Sequence, residues 1–168
     1  PAFYLQKRIK IAEKHKEWNL ILAGNGEIEQ GKALSKELGI EMIVTDHHEI
    51  PVAETANGPE KIMPAADIIV NPKQEGETTP MTGICGAVVA YKVMYCLAEK
   101  AGLSGDLLKA MLPYAAMATV CDVMELRGEN RTMVALGLKL LRETKDVGIS
   151  ALIEENQILK ENMSAYHM

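Results

Sequence analysis

Three adjacent residues, Asp46, His47 and His48, combine one carboxylate with two imidazoles directly after the apolar run 41–45 (EMIVT). If that run is a strand of a parallel sheet, the triplet stands at its carboxyl end, where ligand sites collect in α/β folds. Its oxygen and nitrogen atoms suit Mn²⁺, Mg²⁺ or Zn²⁺. Adjacent side chains on an extended or turning chain point different ways, so one histidine can bind metal while the other faces a substrate. The same three residues would also serve as a turn in which Asp46 caps a helix, with two solvated histidines, and the triplet alone does not separate these readings.

Asp122 is the second candidate. It closes the apolar stretch 115–121. A carboxylate shielded behind such a run needs a partner, a hydrogen-bond network or a metal, although a helix-terminal Asp is the plainer reading. A metal site at the triplet would need an acidic ligand remote in sequence, and Asp122 could supply it. Gly83-Ile84-Cys85-Gly86 precedes a helical pattern, so its backbone N–H groups could face an anion; helix packing explains the glycines equally well. Lys73, in Asn71-Pro72-Lys73, could meet a phosphate or simply lie in an exposed loop. Asn130 could cap a helix. His15 falls in a charged surface helix, and local pattern does not place His167.

The elements that must position these residues follow from periodicity and turn chemistry. Residues 5–17 read as an amphipathic surface helix and 19–23 as a buried strand. Gly24-Asn25-Gly26 is a turn, and 28–38 is a helix stopped by Gly39. With the strand 41–45 this makes a βαβ unit and hence parallel strands. A long loop is expected over 49–66, a third short strand over 68–70 ended by Asn71-Pro72, and a polar loop over 73–82. From 84 to 100 the chain is almost wholly apolar and too long for a strand, which predicts a buried helix. A helix kinked or split at Pro113 is expected over 105–120. Another spans 129–143 with Met133, Leu136, Leu140 and Leu141 on one face, and a weaker helical pattern covers 149–161. The fold class is α/β, a parallel sheet flanked by helices, with a helical C-terminal half.

A hydrophobic content of 48% in 168 residues allows one domain with a sizeable core. A net charge of −5 does not suit a free-standing nucleic-acid binder, which is more often basic, but it does not exclude a chain whose carboxylates hold cations. Cys85, Cys96 and Cys121 form no Cys-x-x-Cys pair, which predicts reduced, buried thiols and a cytoplasmic setting. No uninterrupted apolar run reaches the roughly 18–20 residues that span a bilayer, so no membrane partner is expected. A chain that begins at Pro1 is expected to continue upstream.

Taken in order, these segments resemble the DHH phosphoesterases, and within them the RecJ-type single-strand-specific exonucleases. VTDHHEIP (44–51) is similar to the family's third motif. DIIVNPK (67–73) and TGICGAVVAYKV (82–93) resemble the segments that follow it. MATVCDVMELRGENRTMVALGLKLL (117–141) resembles the fourth motif and its helix, and SAYHM (164–168) the exit from the domain. The resemblance covers roughly 19–168, and residues 1–168 are expected to form a partial DHH domain, α/β over about 1–82 and helical over about 83–168.

The resemblance implies that His47 and Asp122 are metal ligands, that His48 contacts the scissile phosphate, and that Asp46 is a ligand or orients a histidine. It implies Mn²⁺ or Mg²⁺ as cofactor and single-stranded DNA as partner of the full-length protein. Gly83 and Gly86 would lie at the substrate phosphate. Two departures stand out. The family's Asp-x-Asp first motif is absent before position 46, and Gly24 stands where the second motif has an acid. The chain alone is therefore expected to have little or no activity. A DHH phosphodiesterase of cyclic dinucleotides or short oligonucleotides, and a degenerate non-catalytic binding domain, are the alternatives.

Overall fold

Leu20–Ala23 (β1), Met42–Thr45 (β2) and Ile68–Val70 (β5) form a parallel sheet in the order β1-β2-β5. The structure is a computed structural model that describes residues 20–23, 28–79 and 81–168. The expected helix 5–17 with His15, and the turn Gly24-Asn25-Gly26, lie outside the described residues. The chain divides into two compact units, one ending at Thr79 and one running from residue 80 to Met168.

In the first unit, β2 is the central strand. Leu20 to Ala23 pair with Met42 to Thr45, and Ile43 to Thr45 pair with Ile68 to Val70. Met42 and Val44 are fully buried, as apolar residues of a central parallel strand should be. The helix α1 (Ile28–Leu38) links β1 to β2. It ends where Gly39 adopts φ +67° and the Ile40 N–H bonds back to the Ser35 carbonyl at 3.0 Å, a closure that favours glycine. Leu34 and Leu38 of α1 pack on Ile40, Met42 and Val44. Asp67 ties the layers together, accepting from the Met42 N–H at 2.8 Å and from the Lys32 ammonium at 2.6 Å.

The expected long loop 49–66 is instead largely an antiparallel hairpin, Val52–Thr55 (β3) with Gly58–Lys61 (β4). Its residues are mostly exposed and show no apolar alternation, so periodicity does not reveal them. The hairpin closes through Gly58, at φ +105°, and a Thr55 hydroxyl that donates to the Gly58 carbonyl at 2.7 Å. Pro59 is tolerated because a two-stranded ribbon leaves outward positions unpaired.

The second unit contains the helices α2 (Gly86–Ala101), α3 (Gly105–Cys121), α4 (Gly128–Arg142) and α5 (Val147–Glu155), then 3₁₀ turns at Lys160–Asn162 and Ala165–His167. Three expectations need correction. First, α2 is not buried all round: Val88, Val89 and Ala98 are buried, but Tyr95 and Leu97 are exposed. Second, α3 is not split at Pro113: Gly105–Cys121 is a single helix with the proline inside it. Third, the buried face of α4 is Asn130, Val134, Gly137 and Leu141, with Leu136 exposed. The reason is a close crossing: a Cβ at Gly137 would fall onto the Ala116 Cβ of α3 and lie 3.3 Å from the Leu112 carbonyl. Small residues at the contact, together with Leu141, set the rotation of α4 and leave Leu136 outside. Leu141, Ile149, Ile153 and Met163 form a core at the other end, where the Arg142 guanidinium donates to the Met163 carbonyl at 2.6 Å. Of the cysteines only Cys85 is buried; Cys96 and Cys121 are exposed, and all three are free thiols. Position 96 lies on the open face of α2, and 121 is the last residue of α3, so the apolar setting of their neighbours does not shield them.

Candidate functional site

Asp46 is the first residue beyond β2, and its N–H continues the ladder to the Val70 carbonyl at 3.0 Å. The triplet therefore stands at the carboxyl end of the parallel strands. There the chain turns, and the Asp46 carboxylate shapes the turn. Its Oδ1 accepts from the backbone N–H of His47 at 2.8 Å and of His48 at 3.3 Å. The same oxygen lies 2.6 Å from Nδ1 of His48.

Partial burial works to raise the Asp46 pKa, but the His48 side chain and the two backbone N–H groups outweigh it, and the carboxyl is held below its usual range. Asp46 is thus ionised at neutral pH. An ionised carboxylate only accepts hydrogen bonds, so Nδ1 of His48 donates to Asp46 and Nε2 is the ring nitrogen left for another partner. The Asp46 side chain is 14% exposed and that of His48 52%, so the orienting group is sheltered and the oriented one faces solvent. The His47 ring lies with its centroid 4.5 Å from that of His48, tilted by 43°.

A second layer holds this turn. Asn71, buried just after β5, donates from Nδ2 to the His48 carbonyl at 3.0 Å and accepts the Lys73 N–H on Oδ1 at 2.9 Å. The Lys73 ammonium meets the Glu49 carboxylate at 2.7 Å. Segment 71–73 thus clamps 48–49 at two points. Sequence reasoning noticed Asn71 and Lys73 but not this role. The available signal was an Asn-Pro pair ending a strand that neighbours the triplet's own strand.

In the helical unit, Asp122 is the C-cap of α3, exposed to solvent rather than shielded. The Met124 N–H bonds to the Thr119 carbonyl and the Val123 N–H to the Val120 carbonyl, both at 3.0 Å, around Val123 at φ +54°. This closure is the Schellman arrangement with valine in the position that favours glycine. Gly86 is the first residue of α2, capped by Cys85 without a side-chain bond. Gly83 offers its carbonyl to Asn130 Nδ2 at 2.8 Å. Asn130 also donates to the Glu125 carbonyl at 3.0 Å, so it braces two loops, while the N-cap of α4 is Arg127.

The structure brings Asp46, His47 and His48 together in the α/β unit; Gly83, Gly86 and Asp122 belong to the helical unit. Among the described residues, no group of three or more His, Cys, Asp or Glu side chains gathers in a metal-binding arrangement. Nor is any described helix long and apolar enough to cross a membrane.

No family model matches the chain. It is 36% identical over 144 residues to the single-stranded-DNA-specific exonuclease RecJ of Bacillus subtilis, covering 84% of this chain and 16% of that protein. It is 35% identical over 118 residues to the protein of the same name from Thermus thermophilus (70% and 16% covered). To that of Escherichia coli it is 31% identical over 130 residues (71% and 21%). Among solved structures it is similar to exonuclease RecJ bound to manganese, with a TM-score of 0.65 and 25% identity over 95% of this chain and 37% of that one. The chain thus spans only 16–22% of the length of the curated relatives it matches.

Proposed function

From the chain's membership of the RecJ-type DHH phosphoesterases, we propose that it forms part of the active centre of a metal-dependent phosphodiesterase whose parent protein digests single-stranded DNA. The observation that carries this is the sheltered, ionised Asp46 that fixes the proton on His48 Nδ1 at the carboxyl end of a parallel sheet. A carboxylate that orients an imidazole is the usual support for metal- or phosphate-binding histidines.

The donor set fits a divalent ion of the manganese class: carboxylate oxygen and imidazole nitrogen, with no thiolate in the triplet. When bound, such ions stabilise charge on the phosphate and lower the pKa of the attacking water. His47 and Asp122 are the proposed ligands, with Mn²⁺ or Mg²⁺ as the ion. Asp46 orients His48, and His48 presents Nε2 to the scissile phosphate. The N–H groups near Gly83 and Gly86 are weaker candidates for phosphate contact. Residues 1–45 contain no Asp at all, so the Asp-x-Asp ligands are not among those this chain supplies. Little hydrolysis is therefore expected from residues 1–168 alone.

The test is Mn²⁺-dependent digestion of end-labelled single-stranded DNA by the whole protein, with Asp46→Asn and His48→Ala as variants. Loss of an orienting partner costs about 10–100-fold, so Asp46→Asn should fall in that range and His48→Ala at or beyond it. Wild-type rates in both variants, or no metal-dependent hydrolysis at all, would refute the proposal. Faster turnover of a cyclic dinucleotide than of DNA would favour the small-molecule alternative.

A further inference from the structure

Resting on that reading, we propose that a pocket beside Asp46 receives the nucleobase of the nucleotide whose phosphate is held at the Asp46–His48 turn. The pocket has a volume of about 280 Å³, and its lining includes Pro51, Ile62, Met63 and Ile69 together with Asp46 and Asn71. The base of the hairpin frames it, closed by the Ile62 N–H donating to the Pro51 carbonyl at 2.7 Å. The end of the sheet also frames it, where Ile69 pairs with Val44.

Three features select the occupant. The first is apolar surface open to a ligand: Ile62 is 52% and Met63 38% exposed, so both can contact a ring. The second is that the polar groups of the lining are largely engaged. Asn71 uses its amide on the His48 carbonyl and its oxygen on the Lys73 N–H. Glu49 is paired with Lys73. Asp46 Oδ1 is shared among His47 and His48. The walls therefore offer shape and apolar contact rather than a hydrogen-bond code. That suits a flat ring held without preference among the bases, and the Met63 thioether can adapt to rings of different size. The third is scale and place. Ligand pockets commonly run from about 300 to 1,000 Å³, so this one is small and suits a single ring system. Because Asp46 belongs to both pocket and turn, a ring here carries its own phosphate to the histidines.

The test is an NMR titration of the 168-residue chain, with Mg²⁺ present, using thymidine 5′-monophosphate and, separately, 2-deoxyribose 5-phosphate. The nucleotide should shift the Ile62, Met63 and Ile69 methyl signals and bind about tenfold more tightly than the sugar phosphate, a difference set by apolar burial of the ring. The double variant Ile62→Ser/Met63→Ser should bring the nucleotide down to the sugar-phosphate affinity and leave the latter unchanged. Met63→Ser alone serves where the double variant is unstable. Equal affinity for the two ligands overturns the proposal. So does a methyl response confined to other residues, or no response to either ligand. Any of these results alongside intact DNA hydrolysis by the whole protein sinks the base subsite alone; absence of that hydrolysis sinks the function it rests on.

Discussion

Gly137→Ala should destabilise the helical unit even though it improves local helix propensity. Replacing glycine by alanine inside a helix is worth about 1 kcal/mol in favour of the variant. Against this, the new methyl would land on the Ala116 Cβ and close on the Leu112 carbonyl at 3.3 Å. Neither neighbour is the end of a flexible side chain, so α3 and α4 must separate. Overpacking of this kind costs about 1–3 kcal/mol, and atom-on-atom overlap belongs at the upper end. The net loss should be about 2 kcal/mol, read as a lower urea midpoint at unchanged slope in far-UV circular dichroism. Adding Ala116→Gly removes the obstruction at a propensity cost of about 1 kcal/mol, so the double variant should be no worse than Gly137→Ala alone. The cycle should show a favourable coupling of about 3 kcal/mol, the size of the overlap removed. A Gly137→Ala protein at least as stable as the parent, or a coupling within about 0.3–0.5 kcal/mol of zero, would refute the close crossing and with it the account of why α4 buries Val134 rather than Leu136.

Three further outcomes follow from single features. Val123→Gly should raise stability by about 1 kcal/mol, because a left-handed valine costs about 1–2 kcal/mol and glycine gives part of that back as chain entropy; a lower melting temperature would count against the helix end described for α3. Asn71→Asp keeps an acceptor for the Lys73 N–H but sets a carboxylate against the His48 carbonyl, so it should cost about 1–3 kcal/mol and move the His48 ring signals in NMR; unmoved His48 signals would show that Asn71 does not position the turn. Asp146 caps α5, and its carboxyl is held below the usual range by the Ile149 N–H and the Tyr114 hydroxyl. Because its folded pKa is depressed, its contribution is full above about pH 3.9 and is lost as pH falls through the folded value, so Asp146→Asn should flatten the acid limb of stability; an unchanged acid limb would remove Asp146 from the account.

The parts of this fold that could be read from sequence are those made by neighbours along the chain. Apolar runs gave the sheet strands, Gly39 gave the end of α1, and the placement of Asp46 after β2 followed from both. What escaped reading depends on partners far away. The buried face of α4 is decided by Ala116 on another helix, so the leucine spacing placed Leu141 correctly but put exposed Leu136 on the buried side and missed Val134 and Gly137. The hairpin β3–β4 has almost no buried face, and without one a strand leaves no alternation to find. Asn71 acts on a carbonyl 23 residues earlier, a pairing that parallel strand order creates and local pattern cannot show.

The same distinction bears on how the triplet itself is to be understood. A turn built on Asp46 and an oriented histidine pair are competing explanations of Asp46-His47-His48 in the sequence, and no helix follows for Asp46 to cap. In the structure they are one arrangement, because Oδ1 of Asp46 accepts the backbone N–H groups that make the turn and contacts Nδ1 of His48 as well. Turn chemistry supplies the shelter and the hydrogen bonds that keep the carboxyl ionised, and the ionised carboxyl orients the ring. Asparagine at this position could still cap the turn through its own oxygen, but it could not supply the charge. For that reason Asp46→Asn separates the two roles: a folded protein that has lost hydrolysis assigns the residue to the chemistry, whereas a protein that unfolds assigns it first to the turn.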